Sequence, residues 1–173
     1  MKVIDAIGKI EGSKEYGKWI KENPKAYLAH AFTMKEKESF ESWQVGYYNP
    51  ERNMVTVFEL DSQVTMMPES EVFKREETVV KALDTKKIAL DVEQALEAAI
   101  ALGREKYPLI RSDKQIIVLQ NLEEGQVWNI TFISPAMDVL NIKVSSDEGK
   151  IVSHNLNRIF EFKNFDDSNP LAG

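Results

Sequence analysis

Apolar and polar residues alternate in the same way along two stretches of the chain. Trp43, Val45 and Tyr47 take every second position of one stretch. Trp128, Ile130 and Phe132 do so in the other, 85 positions later (128 − 43 = 85). A period of two puts each set on one face of a half-buried β-strand. Both strands run into a turn opened by Asn49-Pro50 or Ser134-Pro135 and closed by Asn53 or Asp138. Proline pre-sets the φ that the first inner turn position needs. A second alternating run follows, in which Val55 and Val57 align with Leu140 and Ile142. The pattern predicts strand, turn, strand, present twice.

The match extends outward. A further strand-type run precedes each tryptophan, residues 26–34 in the first copy and 115–120 in the second. Before those runs lie segments of helical periodicity that stop at Pro24 and Pro108, and proline just past a helix is a normal stop signal. In the second helix Asp91 is a cap with Gln94 as reciprocal partner. Val92, Leu96, Ala99, Ile100 and Gly103 form its stripe. In the first copy Ser13 is the cap and Tyr16, Trp19 and Ile20 the buried face, with an additional turn or helix at Val3, Ile4 and Ile7.

Downstream the copies diverge. Residues 146–150, with Gly149-Lys150, signal a tight hairpin, followed by Ile151-Val152 and a last strand-type run through residues 155–162. Val72-Phe73 is its shorter counterpart of Ile159-Phe160. The expected organisation is a first α+β repeat over residues 1–75, a packed connector over 76–90, a second repeat over 91–165 and a tail over 166–173. The connector carries Val79, Val80, Leu83 and Ile88, too apolar for a loose linker, so the copies are expected to pack on each other. The fold class expected is α+β: two tandem units, each a helix on a three- to four-stranded antiparallel meander.

Composition narrows function more than fold. The 173 residues include 22 Lys and Arg against 28 Asp and Glu, a net charge of −6. Nucleic-acid binders cluster their cations to displace counterions from phosphate; Lys86-Lys87 and Lys35 to Glu38 are too short or too interleaved with acid to do so. Cysteine is absent, which removes disulfides and thiolate metal sites and fits a reducing compartment. The first nine residues are too polar for a signal-peptide core, and no apolar run reaches the roughly 20 residues that span a bilayer. A cytoplasmic protein is expected, with no nucleic-acid or membrane partner and no cofactor.

Candidate chemistry is sparse. His30 lies among alanines in a strand, and His154 follows a hairpin among polar residues, so neither reads as a metal ligand. Ser134, His154 and Asp138 could be assembled into a nucleophilic triad. However, Asn49 and Asn53 occupy the places of Ser134 and Asp138 in the other copy, so these are turn residues. The glycines never cluster as a phosphate loop requires. Glu76-Glu77, Glu123-Glu124 and Asp166-Asp167 are adjacent pairs that point apart and read as solvated surface. Trp43, Tyr47, Trp128 and Phe132 read as core rather than as a binding site. Tyr48 and Ile133 point the other way, which suggests that the second sheet face is covered too, by the other repeat or a second chain. No catalytic, cofactor or metal residue is assigned.

The second copy resembles the PepSY-like family, small cystatin-like domains with a helix packed on an antiparallel sheet. The resemblance rests on the helix around residues 93–96, on Val127-Trp128-Asn129-Ile130, on residues 140–144, and on the turn Asp147, Gly149-Lys150-Ile151. It covers roughly residues 91–162 and reaches the first copy only through the repeat. It implies a stand-alone tandem form of unknown function, with inhibition or chaperoning of peptidases as the family association.

Three function classes follow. The first is a non-catalytic, non-enzymatic module that presents a sheet face or edge to a protein or peptide, as a monomer or homodimer. The second is a carrier with a small ligand between helix and sheet. An enzyme is the least supported.

Overall fold

A computed structural model describes residues 1–71 and 79–158. Helices α1 (Val3–Glu11) and α2 (Lys14–Glu22) lead into strands β1 (Tyr27–Glu36), β2 (Ser39–Phe40), β3 (Trp43–Asn49), β4 (Met54–Leu60), β5 (Val64–Met66) and β6 (Ser70–Glu71). After a short 3-10 turn at Thr85–Lys87 come α3 (Val92–Lys106) and strands β7 (Lys114–Leu122), β8 (Gly125–Ile133), β9 (Asp138–Ser145) and β10 (Ile151–Arg158). Of the last strand expected in the second copy, residues 155–158 fall in β10, while Ile159-Phe160 and the counterpart Val72-Phe73 lie outside the described residues.

The expectation of two tandem helix-on-sheet units is overturned. All ten strands form one sheet in the order β10-β9-β8-β7-β1-β3-β4-β5, with β2 beside β1 and β6 beside β4. The reason lies in the meanders. Each begins with a strand paired on one side only, β1 with β3 and β7 with β8. A lone first strand would leave a row of amides and carbonyls without strand partners. Here β1 and β7 satisfy each other by pairing antiparallel over seven residues, from His30 opposite Gln120 to Glu36 opposite Lys114.

That junction is symmetric. Ala31 lies opposite Leu119, and Thr33 opposite Ile117. Within the halves Ala31 pairs Val45, as Ile117 pairs Ile130. Exchanging the halves therefore maps the first junction pair onto the second, with Phe32 and Val118 at the centre. A pseudo-two-fold axis perpendicular to the sheet passes there. The two tryptophans meet close to it, their ring centroids 6.3 Å apart. The Trp43 indole Nε1–H donates to the Met1 carbonyl, and that of Trp128 to the Leu90 carbonyl, each at 3.1 Å.

Those carbonyls sit just ahead of α1 and α3, which identifies the matching helices. Val3, Ala6, Ile7 and Ile10 are buried in α1, and Val92, Ala95, Leu96 and Ala99 in α3, at identical spacing. The counterpart of α3 is thus α1, rather than the Ser13-capped helix expected. Ser13 does cap α2, accepting from the Tyr16 amide. Helix α2 adds an aromatic cluster of its own, in which Trp19 and Tyr16 pack on Tyr47 and Phe58 at centroid distances of 4.9–5.8 Å.

The first turns of α1 and α3 converge on one carboxylate. Asp91 forms the expected capping box with Gln94, and its Oδ1 accepts the Val92 amide at 2.9 Å and the Val3 amide at 3.4 Å. Lys2, the residue at the cap position of α1, supplies no side-chain cap. Two helix N-termini brought together oppose each other through their partial positive charges, and an anion between them relieves this.

The aligned turns differ by one residue. Trp43 pairs Leu60 and Trp128 pairs Val144, so Phe58 takes the place of Ile142. The buried residues of β4 are Thr56, Phe58 and Leu60, while Val55 and Val57 face the opposite side. The gapless alignment of Val55 and Val57 with Leu140 and Ile142 is therefore corrected by one position, and a one-residue slip exchanges the two faces of a strand. The extra residue is absorbed in the turn before β4, where Asn53 takes φ 54°.

One core results. It joins α1, Trp19 of α2 and α3 to the same face of both half-sheets. The second face carries Phe32, Met34, Ile116 and Val118, all half-buried. The halves meet edge to edge rather than across this face, contrary to expectation. Tyr48 is buried there by Tyr27, at a centroid distance of 5.6 Å. Of the connector, Leu83 is buried and its amide donates to the Leu28 carbonyl at 2.9 Å.

Because Asp91 serves two helices, Asp91→Ala is expected to cost about 1–2 kcal/mol, the upper part of the range for a single cap. Asp91→Asn, which keeps a capping oxygen, is expected to lose less. Urea denaturation measures both; an alanine variant within a few tenths of a kcal/mol of the parent would remove Asp91 from this role.

Candidate functional site

The end of the second half away from the pseudo-axis carries a cleft of about 500 Å³. It opens where α3 stops. Tyr107 ends the helix, its amide donating to the Gly103 carbonyl at 2.8 Å, and Pro108 prevents continuation. The chain then crosses to β7 through residues 108–113 and leaves a gap between the helix end and the sheet. Ile100 from the helix, Ile110 from the crossing, Phe132 from β8 and Leu140 from β9 make its apolar lining. Gly103 keeps the helix side low: a Cβ there would sit 3.9 Å from Leu140, in ordinary contact.

The rim is polar. Arg104 in the last turn of α3 and Arg111 in the crossing both line the cleft, and both are exposed. Neither has an ion pair among the described residues, whereas Arg52 is held by Glu69 at 2.7 Å. Asp113 is the carboxylate on the same lining. Ser112 is committed to the fold: its Oγ donates to the Lys114 carbonyl at 2.6 Å and accepts the Ile133 amide at 3.1 Å. Tyr107 is fixed from outside, its hydroxyl 2.6 Å from His154 Nδ1 on β10.

These contacts dispose of the imagined triad. His154 is engaged by Tyr107, while Ser134 and Asp138 close their own turn. The Asp138 amide donates to Ser134 Oγ, and the Ser134 amide to the Asp138 carbonyl, both at 3.0 Å. Among the described residues no group of three or more His, Asp or Glu is placed to hold a metal ion. Glu124 pairs with Lys143, which holds its carboxyl below the usual range. Glu76-Glu77 and Asp166-Asp167 lie outside the described residues. The aromatic set Trp43, Tyr47, Trp128 and Phe132 is buried, with Phe132 alone reaching the cleft. Tyr47 donates to Glu11 at 3.1 Å, and burial pushes its hydroxyl pKa well up.

His30 is a fold residue with a chemical signature. Its ring lies flat over Gly46, where a Cβ would stand 2.0 Å from Cε1, so only glycine fits beneath it. Burial holds its pKa below the ordinary value. Sequence reasoning missed Arg104 and Arg111. The available signal was their position, one on each side of the Pro108 helix stop, in a chain of net charge −6.

No family model matches the chain, and no curated protein does. Among solved structures, the chain is similar to a crystal structure from Clostridium difficile 630 described as a putative lipoprotein. The TM-score is 0.57 at 15% identity, over 91% of this chain and 93% of that one. At that identity the likeness concerns the fold alone. Among the described residues no helix is long and apolar enough to cross a membrane.

The depressed pKa of His30 makes stability depend on pH. Below the unfolded histidine pKa of about 6.5 the unfolded chain takes up a proton that the folded one resists, so stability is full above that value and falls as pH drops toward the folded pKa. His30→Gln is expected to lose less melting temperature than the parent between pH 7.5 and 5.5. Equal losses in both proteins would show that His30 does not carry the effect.

Proposed function

We propose that the protein is a non-catalytic binding module and that its ligand occupies the cleft beneath the end of α3. The observation that carries this reading is the pairing of an apolar lining with two arginines that have no ion-pair partner among the described residues. The volume of about 500 Å³ falls within the roughly 300–1,000 Å³ of small-ligand sites, which are apolar with a few placed polar groups. The polar groups at the cleft, two arginines and the carboxylate of Asp113, support ligand binding. Tyr107 and His154 are spent on each other, and arginine does not deprotonate.

A second reading, recognition of a protein or peptide, is favoured by β10. It ends the sheet with eight residues, most of them exposed, and its outer edge has no strand beside it among the described residues. An extended peptide could add there as a further strand. Peptidase regulation, which the PepSY resemblance implies, would be one form of this reading.

A thermal-shift screen with small apolar and amphiphilic compounds, run beside a library of extended peptides, separates the two. A compound present at a hundred times its Kd is expected to stabilise the protein by about 2.7 kcal/mol, several degrees in Tm. Its resonance perturbations should centre on residues 100–113. Silence from every small compound, with a peptide that protects β10 amides from hydrogen exchange, would overturn the cleft reading in favour of the second.

A further inference from the structure

We infer that the ligand of the cleft is an apolar monocarboxylate, whose tail lies on Ile100, Phe132 and Leu140 and whose head group meets Arg104 and Arg111. The inference rests on the reading of the cleft as the binding site and adds the ligand's chemistry.

Charge decides the head group. The chain as a whole is acidic at −6, so two guanidiniums at one cleft, without an ion pair among the described residues, are a local reversal of sign. A cationic head would meet them as like charges. Arginine offers a planar fork of donors that matches carboxylate or phosphate oxygens two at a time. Asp113 on the same lining leaves a surplus of one positive charge, two arginines less one carboxylate. A monoanion balances that surplus, whereas a phosphate monoester near its second ionisation brings more negative charge against Asp113.

Shape decides the tail. Ile100, Phe132 and Leu140 all line the cleft, and Gly103 puts no side chain between the helix and Leu140. Removing apolar surface from water is the one contribution these side chains can make. A free carboxylate without a tail would gain nothing from them. The ligand must therefore have both parts, an apolar tail and an anionic head for Arg104 and Arg111 on the same lining.

Calorimetric titration with decanoate, decanol, decyl phosphate and inorganic phosphate tests this on the full chain. Decanoate is expected to bind at least tenfold more tightly than decanol and more tightly than decyl phosphate, and to weaken as ionic strength rises; inorganic phosphate is expected to be silent. The double variant Arg104→Gln/Arg111→Gln changes two exposed side chains. It should retain its circular dichroism and melting temperature while binding decanoate and decanol alike. Gly103→Leu keeps both arginines but fills the apolar space, and should lose decanoate together with decanol. If decanol binds as well as decanoate to the parent, or decyl phosphate binds better, the monocarboxylate inference fails while the cleft reading stands. If Gly103→Leu binds decanoate like the parent, or no tailed compound binds the parent, both fail.

Discussion

The antiparallel pairing of β1 with β7 is the constraint on which everything else in this protein depends. Each is the first strand of its meander, and each would otherwise expose a full edge. Pairing them removes two edges at once and fixes the register between the halves, because Ala31, Thr33, Ile117 and Leu119 must all face the helices. The symmetry of that register then brings Trp43 against Trp128 and the first turns of α1 and α3 onto Asp91. The core is continuous across the axis because the sheet is.

The two halves spend their shared plan differently. In the first, the helix breaks after Glu11 and a second helix covers β3 and β4 with aromatic rings. In the second, α3 continues for 15 residues and then stops short at Pro108, leaving a cleft where the first half has α2. The chemistry that distinguishes the halves thus arises from one local choice, whether the helix is interrupted early or stopped late. The scaffold is common; the opening is private to one half.

Much of the local structure was legible in the residues. The Trp-led strands, the Asp91–Gln94 capping box, the Ser13 cap and the stop at Pro108 are all written in short-range chemistry, and all are present. The continuous sheet was not legible, because an edge pairing of β1 with β7 leaves the alternation within each strand unchanged. The slip at β4 escaped for a related reason. Valines at 55 and 57 satisfy a period of two as well as Thr56, Phe58 and Leu60 do, and only the turn decides which set faces inward. The match of α1 with α3 lies in the residues as one stripe at one spacing, but Pro24 and Pro108 stand at nearly equal distances ahead of the two tryptophans and so align α3 with α2 instead. The cleft had no motif, since its arginines belong to separate elements and acquire meaning only when the crossing to β7 brings them to one rim.

The symmetric junction at Phe32 and Val118 has a kinetic and thermodynamic consequence. Self-complementary pairing across a two-fold axis is the form of contact by which separate identical chains associate. Carried within one chain, the same contact is intramolecular, and its effective concentration is set by the folded residues between β1 and β7 rather than by the amount of protein. Assembly of the sheet is thereby relieved of dilution: the long-range closure that unites the halves proceeds at the same rate however little protein is present.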